Sequence, residues 1–156
     1  GQARMDSPFT GVLASTLFTL VVQASAATAG VAIVLAQQGV LSLQAGMAMI
    51  LGANIGTCGT SLLSAIGKQP ATVRIAVTYF MFKVVGVLLW LPVLGVVEGL
   101  VMLMTPSGDV ASAIANTHTL FNVFIACLFM PFVKPLAEVM CSLIPDAPPN
   151  LTRRVS

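Results

Sequence analysis

No charged side chain occurs between Asp6 and Lys68, a run of 61 residues. As an α-helix this run would be roughly 90 Å long, which is about three times the ~30 Å hydrocarbon thickness of a bilayer. Over the whole chain 8% of the residues are charged and 57% are hydrophobic, whereas a soluble domain carries roughly 25% charged residues. The sequence therefore predicts an all-α integral membrane protein and argues against a soluble enzyme or a nucleic-acid-binding protein.

The first apolar run ends at Val22 and is too short, at about 21 Å of helix, to cross a bilayer alone. Polar and small residues occupy 23–30, and a second short apolar run follows over 31–36. Two short helices around a polar tip predict a re-entrant helical hairpin over residues 8–37; a single long, kinked spanning helix is the alternative. Irregular backbone at this depth occurs only where it is buried in protein or lines a wet cavity, so the tip is a candidate functional segment.

The next apolar stretch, 40–66, is interrupted by a segment rich in glycine and hydroxyl residues, 52–61. Glycine weakens a helix because it loses more conformational freedom on folding than other residues do. We therefore expect a discontinuous transmembrane helix with an unwound centre. Small residues such as Gly52 and Gly56 also allow close helix packing, and this packing role is the alternative interpretation.

Two further spans are predicted at 75–104 and 112–133. Pro92 is expected to kink the first of them, and a Lys-Pro pair is expected to end the second. We assign residues 1–148 to one membrane domain and residues 149–156 to an exit linker.

The charges between these segments predict the orientation of the chain. With a hairpin and three spans, the basic residues on one side of the membrane are Lys68, Arg74, Lys134, Arg153 and Arg154. Lys and Arg are enriched in cytoplasmic loops. We therefore expect residues 67–74 and the C-terminus to be cytoplasmic, in a multi-pass protein of the cell membrane (the plasma or inner membrane).

Neither polar break contains a carboxylate. The N-terminal end of a half-helix carries free N–H groups and partial positive charge, which suits an anion. Free carbonyls and side-chain oxygens suit a hard cation, and the lack of carboxylates favours a monovalent ion over a divalent one. Paired breaks of this kind are typical of secondary transporters. No HExxH or GxSxG motif is present, so we expect no enzyme and no cofactor beyond a coupling ion.

Four segments resemble motifs of the sodium-dependent phosphate cotransporter family. Residues 23–30 are similar to its QSSS-type signature, and Gly-Ala-Asn-Ile-Gly-Thr at 52–57 matches its GANIGT signature. Residues 115–122 and 131–136 look like the end of that family's second inverted repeat. The resemblance covers residues 8–145 and implies one half of an inverted-repeat transporter that carries inorganic phosphate with sodium across a lipid bilayer. A complete site then requires the missing first repeat or a second copy of this chain in a homo-oligomer.

The resemblance also implies roles for individual residues. The residues expected to bind phosphate are Gln23, Ser25, Thr28 and Asn54. The residues expected to bind sodium are Gln23, Ser25, Asn54, Thr57 and Thr60.

The sequence departs from the family pattern at several positions. Ala24 and Ala26 stand where serines are usual, so two hydroxyl ligands are missing. Lys83, within a span, is expected either to snorkel or pair with a neighbouring helix, or to face phosphate or supply a fixed positive charge where relatives use a sodium ion. His118 is expected either to pack or to sense protons. The missing serines leave a second function open: a non-transporting, membrane-embedded interaction or regulatory module derived from the same family.

Overall fold

The computed structural model describes residues 7–105 and 107–146, and seven α-helices lie in that part of the chain. They are α1 (Pro8–Val22), α2 (Ser25–Gln37), α3 (Leu43–Ser64), α4 (Pro70–Trp90), α5 (Leu94–Leu103), α6 (Val110–Phe129) and α7 (Val133–Leu143). One-turn 3₁₀ helices, Leu91–Val93 and Met130–Phe132, join α4 to α5 and α6 to α7. The prediction of an all-α fold is confirmed. The linker predicted at 149–156 lies outside the described residues.

Local sequence explains where several helices begin. Proline occupies the start of α1 and of α4, where its missing N–H group would have no helical partner anyway. Ser42 caps α3 by accepting a hydrogen bond from the Ala45 N–H, and Asp109 caps α6 by accepting one from the Ser112 N–H. The hydroxyl and N–H of Ser112 hold the pKa of Asp109 below its ordinary value.

The first arm of the hairpin, α1, runs parallel to α3 and lies directly against it. Gly11 contacts Ala48 near the start of α3, and Leu20 contacts Gly59 near its end. Leu20 lies three residues before the tip. The tip of the hairpin therefore lies beside the last turn of α3, close to its end at Ser64.

The second arm, α2, runs back to the end at which α1 began. The Cβ of Ala36, near the end of α2, lies beside Gly46 near the start of α3. The hydroxyl oxygens of Thr19 and Thr28, one on each arm, are 2.6 Å apart, whereas residues this far apart in one continuous helix would be separated by about 13 Å. The re-entrant hairpin is confirmed, and the single kinked spanning helix is excluded.

The expected break in the helix at 52–61 is absent, because α3 is continuous from Leu43 to Ser64. The glycines serve close packing instead. A Cβ atom at Gly56 would come within 2.6 Å of the Thr19 Cβ, and one at Gly52 would overlap the Ser15 hydroxyl and the Val12 carbonyl. The prediction of an unwound centre is wrong, since the helix propensity lost at glycine is offset by the contact with α1.

Among the described residues, three helical segments are long and apolar enough to span a membrane: Leu43–Ser64, Pro70–Leu103 and Val110–Leu143. The kink expected at Pro92 coincides with the first 3₁₀ turn. The last span does not end at the Lys-Pro pair as predicted, because α7 continues to Leu143. Pro135 lies in the first turn of α7, where proline breaks no helical hydrogen bond.

The start of α4 and the end of α7 meet on one side of the bundle. The Arg74 Nε donates to the Ile144 carbonyl at 2.7 Å, and the Arg74 Nη2 lies 2.8 Å from an oxygen of Asp146. The loop before α4 and the segment after α7 therefore share a face of the membrane. This agrees with the predicted topology of three spans after a hairpin.

Candidate functional site

The tip of the hairpin consists of Gln23 and Ala24, a shorter interruption than the 23–30 expected from the sequence. Gln23 has a φ of 57°, a left-handed conformation that is uncommon outside glycine and that turns the chain back after α1. Ala24 precedes α2 and offers no side-chain cap. The first N–H groups of α2 thus carry the partial positive charge of a helix N-terminus at the tip.

Two predicted ligands lie at this tip with unused hydrogen-bonding groups. Within the described residues, the amide of Gln23 and the hydroxyl of Ser25 form no side-chain hydrogen bond. Gln23 is exposed, and Ser25 is half-buried at the start of α2. Together with the uncapped helix end, they present donors and acceptors to a small solute.

Thr28 is placed differently from the other tip residues. It is fully buried, and its hydroxyl is hydrogen-bonded to that of Thr19. Thr19 in turn lies against Gly56 of α3. In this structure Thr28 joins the two arms of the hairpin to α3.

The predicted ligands on α3 bond to their own helix. The Thr57 hydroxyl donates to the Ala53 carbonyl at 2.9 Å, and the Thr60 hydroxyl donates to the Thr57 carbonyl at 2.7 Å. A hydroxyl that donates in this way keeps lone pairs for a cation. Both side chains are half-buried, so they remain reachable.

Asn54 belongs to a polar cluster that joins three helices. The Lys83 ammonium of α4, only 3% exposed, donates to the Asn54 Oδ1 at 2.9 Å. It also donates to the Asn122 Oδ1 of α6. The ring centroids of Phe121 and Tyr79 lie 5.1 Å and 5.8 Å from the same nitrogen, within the range of cation–π attraction. We call Asn54, Lys83 and Asn122 the ammonium cluster.

The ammonium cluster lies near mid-membrane depth. Asn54 is ten residues before the end of α3 at Ser64, which corresponds to about 15 Å along the helix, or half of a ~30 Å hydrocarbon core. Lys83 therefore does not snorkel to the interface. Its contacts are those expected for pairing with neighbouring helices, and the fixed-charge and phosphate-facing roles stay predictions.

The structure separates the predicted site residues into two groups. Gln23 and Ser25 lie at the hairpin tip, while Asn54 lies in the ammonium cluster, and no hydrogen bond within the described part of the chain joins the two groups. His118 is exposed, and its carbonyl accepts a hydrogen bond from the Asn122 amide. The described residues contain no group of three or more His, Cys, Asp or Glu side chains that could hold a metal.

Sequence reasoning assigned no role to Asn122 or to Thr19. A comparison of the two spans could have identified Asn122. It occupies the position in the last span that Lys83 occupies in the span before, and a phenylalanine immediately precedes each. Thr19 carried no comparable signal, because its partner across the hairpin depends on the residue at which the chain turns.

These features define a helical integral membrane protein in which a re-entrant hairpin packs on a central span and polar side chains meet inside the bilayer. The chain belongs to the Na⁺/Pi-cotransporter family, which matches residues 2–130. The resemblance noted in the sequence motifs is thereby confirmed.

Several curated proteins are similar to the chain. It is 33% identical over 140 residues to the uncharacterized protein YqeW of Bacillus subtilis, covering 90% of this chain and 45% of that protein. It is 26% identical over 137 residues to the putative inorganic phosphate export protein YjbB of Escherichia coli K12, covering 87% of this chain and 25% of that protein. It is 33% identical over 101 residues to mouse sodium-dependent phosphate transport protein 2A, covering 58% of this chain and 16% of that protein.

The chain spans less than half the length of each of these relatives. No solved structure matches it.

Proposed function

We propose that the chain is one repeat of a secondary transporter that moves inorganic phosphate, coupled to sodium, across the cell membrane. Membership of the Na⁺/Pi-cotransporter family supports the proposal, as do the names of the relatives YjbB and protein 2A. The structural observation that carries it is the hairpin tip. There an uncapped helix N-terminus and two unbonded polar side chains lie beside the last turn of α3.

Phosphate is assigned to the N-terminal end of α2. Helix N-termini bind anions through free N–H groups and the positive end of the helix dipole. The Ser25 hydroxyl and the Gln23 amide can add hydrogen bonds to phosphate oxygens. Thr28 contributes by fixing the angle between the arms through its hydrogen bond to Thr19.

Sodium is assigned to uncharged oxygens of the hairpin tip and of the second half of α3. The oxygens of Gln23, Ser25, Thr57 and Thr60 are hard ligands of the kind that small cations prefer. Thr57 and Thr60 donate their hydroxyl protons to their own helix, which leaves their lone pairs available to an ion. Asn54 is directed to Lys83 in this chain, so its part in ion binding runs through the ammonium cluster.

The transport test uses the full-length protein containing this chain, reconstituted in liposomes and supplied with radiolabelled phosphate. Uptake should depend on a sodium gradient and should fall about tenfold or more in Gln23→Ala and Ser25→Ala, since a lost hydrogen bond to a charged ligand costs roughly 1.5–3 kcal/mol. Gln38→Ala and Ser142→Ala are matched controls, because both side chains are exposed, Gln38 lies at the opposite end of the hairpin and Ser142 lies on α7. Uptake that ignores sodium would refute the coupling. Unchanged uptake in the tip variants would remove Gln23 and Ser25 from the site, and a wild type without phosphate uptake would favour the non-transporting module.

The orientation proposed with this function places residues 67–74 and the C-terminal segment in the cytoplasm. A cysteine introduced by Gln69→Cys into a cysteine-free background should react with an impermeant thiol reagent only after the cell membrane is opened. Ser107→Cys, in the loop at the opposite side, should react in intact cells. The reverse pattern would invert the topology.

A further inference from the structure

Residues 75–93 and 114–132 repeat one another at an offset of 39 positions, with seven of nineteen residues identical. The 3₁₀ turns Leu91–Val93 and Met130–Phe132 follow the same offset. In this register Lys83 is the counterpart of Asn122. The two spans are thus two versions of one helical unit, with an ammonium in one version and an amide in the other.

The contacts between the two units are reciprocal. Phe82 stacks on Phe129 with centroids 4.0 Å apart, and the counterparts of these residues, Phe121 and Trp90, form an edge-to-face pair at 5.1 Å. Lys83 is hydrogen-bonded to its own counterpart. α4 and α6 are therefore related by a local pseudo-two-fold axis that passes beside Lys83.

Both asparagines of the ammonium cluster are oriented by the same device. The Asn54 Nδ2 donates to the Ile50 carbonyl at 2.9 Å, and the Asn122 Nδ2 donates to the His118 carbonyl at 2.8 Å, each four residues earlier in its helix. These bonds aim the two Oδ1 atoms away from their own helices. Both oxygens meet at the Lys83 ammonium.

The surroundings of that nitrogen are complementary to a positive charge and not to an anion. Its hydrogen-bonding and ring partners are two amide oxygens and the faces of two aromatic rings. No carboxylate neutralises it. The described residues contain one ion pair, and that pair joins Arg74 to Asp146. A phosphate at this point would face electron-rich groups and would find one ammonium with two of its three protons already donated.

We propose that the ammonium cluster is a monovalent-cation site whose cation is the Lys83 ammonium itself. An asparagine at position 83 would be held by the Tyr79 carbonyl in the way that its counterpart is held by that of His118. It would add a third amide oxygen to those of Asn54 and Asn122, and three such oxygens without an ammonium suit a free sodium ion. A groove of about 370 Å³, lined in part by Tyr79, Lys83 and Asn122, lies beside the cluster.

The consequence is a tethered charge in place of one mobile ion. This proposal deepens the proposed function. The number of sodium ions carried per phosphate can be measured only if the proposed function is correct. The binding readout of this proposal does not depend on transport. In the transport cycle, this chain would move one sodium ion fewer than a version with asparagine at position 83.

The test compares the thermal stability of the full-length protein in detergent, in sodium chloride and in choline chloride. Lys83→Asn should gain a sodium-dependent rise in Tm beyond any rise seen in the wild type; sodium at about 100 times its Kd would shift the folding equilibrium about 100-fold. Lys83→Met supplies no oxygen ligand and should show no added sodium effect. Equal sodium effects in wild type and Lys83→Asn, or in Lys83→Asn and Lys83→Met, would overturn the proposal.

The double variant Lys83→Asn with Asn122→Lys tests the site independently of how well Lys83→Asn folds. It moves the ammonium to the counterpart helix and leaves an amide in its place, so stability independent of sodium should return. A double variant no more stable in choline than Lys83→Asn would overturn the proposal. So would stabilisation of the wild type by phosphate without sodium that is lost in Lys83→Met, which would make Lys83 an anion ligand.

These outcomes are separable from those of the transport test. A sodium effect gained in Lys83→Asn while the wild type transports without sodium would support the tethered cation and refute the proposed coupling. Sodium-coupled transport by the wild type, with no added sodium effect on the Tm of Lys83→Asn, would support the proposed coupling and refute the tethered cation. In a transporting protein, Lys83→Asn should also raise by about one the number of sodium ions carried per phosphate.

Discussion

The two faces of α3 have different roles: one packs closely against α1, and the other holds a buried ammonium. The face toward α1 is made of glycines, at which an added Cβ would collide with Ser15, Thr19 or Leu20. The face toward α4 and α6 presents Asn54 to a buried ammonium. The first face needs the absence of side chains, and the second needs one side chain held in one orientation.

This difference shows how one short motif can serve both packing and ion chemistry. In Gly-Ala-Asn-Ile-Gly-Thr at 52–57 the glycines bring the hairpin close, and the asparagine between them points to another helix. A stretch that is rich in glycine and polar residues therefore need not be unwound. The comparison predicts that substitutions on the two faces will fail in different ways.

The largest effect is expected on the packing face. Gly52→Leu should cost at least about 3 kcal/mol, because the side chain has no space between α1 and α3 and overpacking of a tight contact is destabilising. The yield of monodisperse full-length protein and its Tm in detergent would measure this. Gly99→Leu is the matched control: an added Cβ at this exposed helical glycine meets no neighbouring helix within 4 Å, so its change should be nearly neutral. A well-folded Gly52→Leu protein would contradict the packing role.

The next effect is expected on the polar face. Asn122→Ala removes one of the two acceptors of the Lys83 ammonium and should cost about 2 kcal/mol, because a hydrogen bond to a buried charge is lost. Thr119→Ala, on an exposed position of the same helix, should change Tm little. The Tm of each variant, measured by thermal unfolding, tests this. Equal Tm values would show that the Asn122 amide does not hold the Lys83 ammonium.

A smaller effect is expected where the hairpin arms meet. Thr28→Val should cost about 1–2 kcal/mol, because the buried Thr19 hydroxyl loses its partner. The double variant Thr19→Val with Thr28→Val should cost less than the sum of the two single changes, since it leaves no hydroxyl unpaired. Additive losses in this double-mutant cycle would exclude a direct bond between the two side chains.

The smallest effect on stability is expected at Thr57. Its hydroxyl bonds within its own helix, so Thr57→Val should change the free energy of unfolding by less than about 0.5 kcal/mol. If Thr57 binds sodium, the sodium concentration that gives half-maximal phosphate uptake should nevertheless rise. Unchanged sodium dependence would remove Thr57 from the ion site, and a large loss of stability would place it on the packing face.

Much of the fold could be predicted from the sequence because the membrane imposes simple rules on length and charge. The short run ending at Val22 and the polar residues after it were sufficient to predict the hairpin. The break predicted in 52–61 was wrong because a glycine pattern does not reveal whether another helix lies against it. The end of the last helix was missed because a proline in the first turn of α7 resembles a terminator in sequence alone.

The site was predicted less completely than the fold. The motif residues Gln23, Ser25 and Asn54 were singled out, but their separation into two groups depends on which way each helix face points. Asn54 was expected to bind sodium or phosphate directly, and its contact with Lys83 required the register between α3 and α4. That register follows from packing across three helices, which no local pattern contains.

The most direct test of the account is a cryo-EM density map of the full-length protein in lipid nanodiscs with sodium. We expect an unbroken α3 with the hairpin against its glycines, and the Lys83 ammonium between the amide oxygens of Asn54 and Asn122. A gap in the helical density at Gly52–Thr57, or a Lys83 side chain extended toward the lipid, would contradict it.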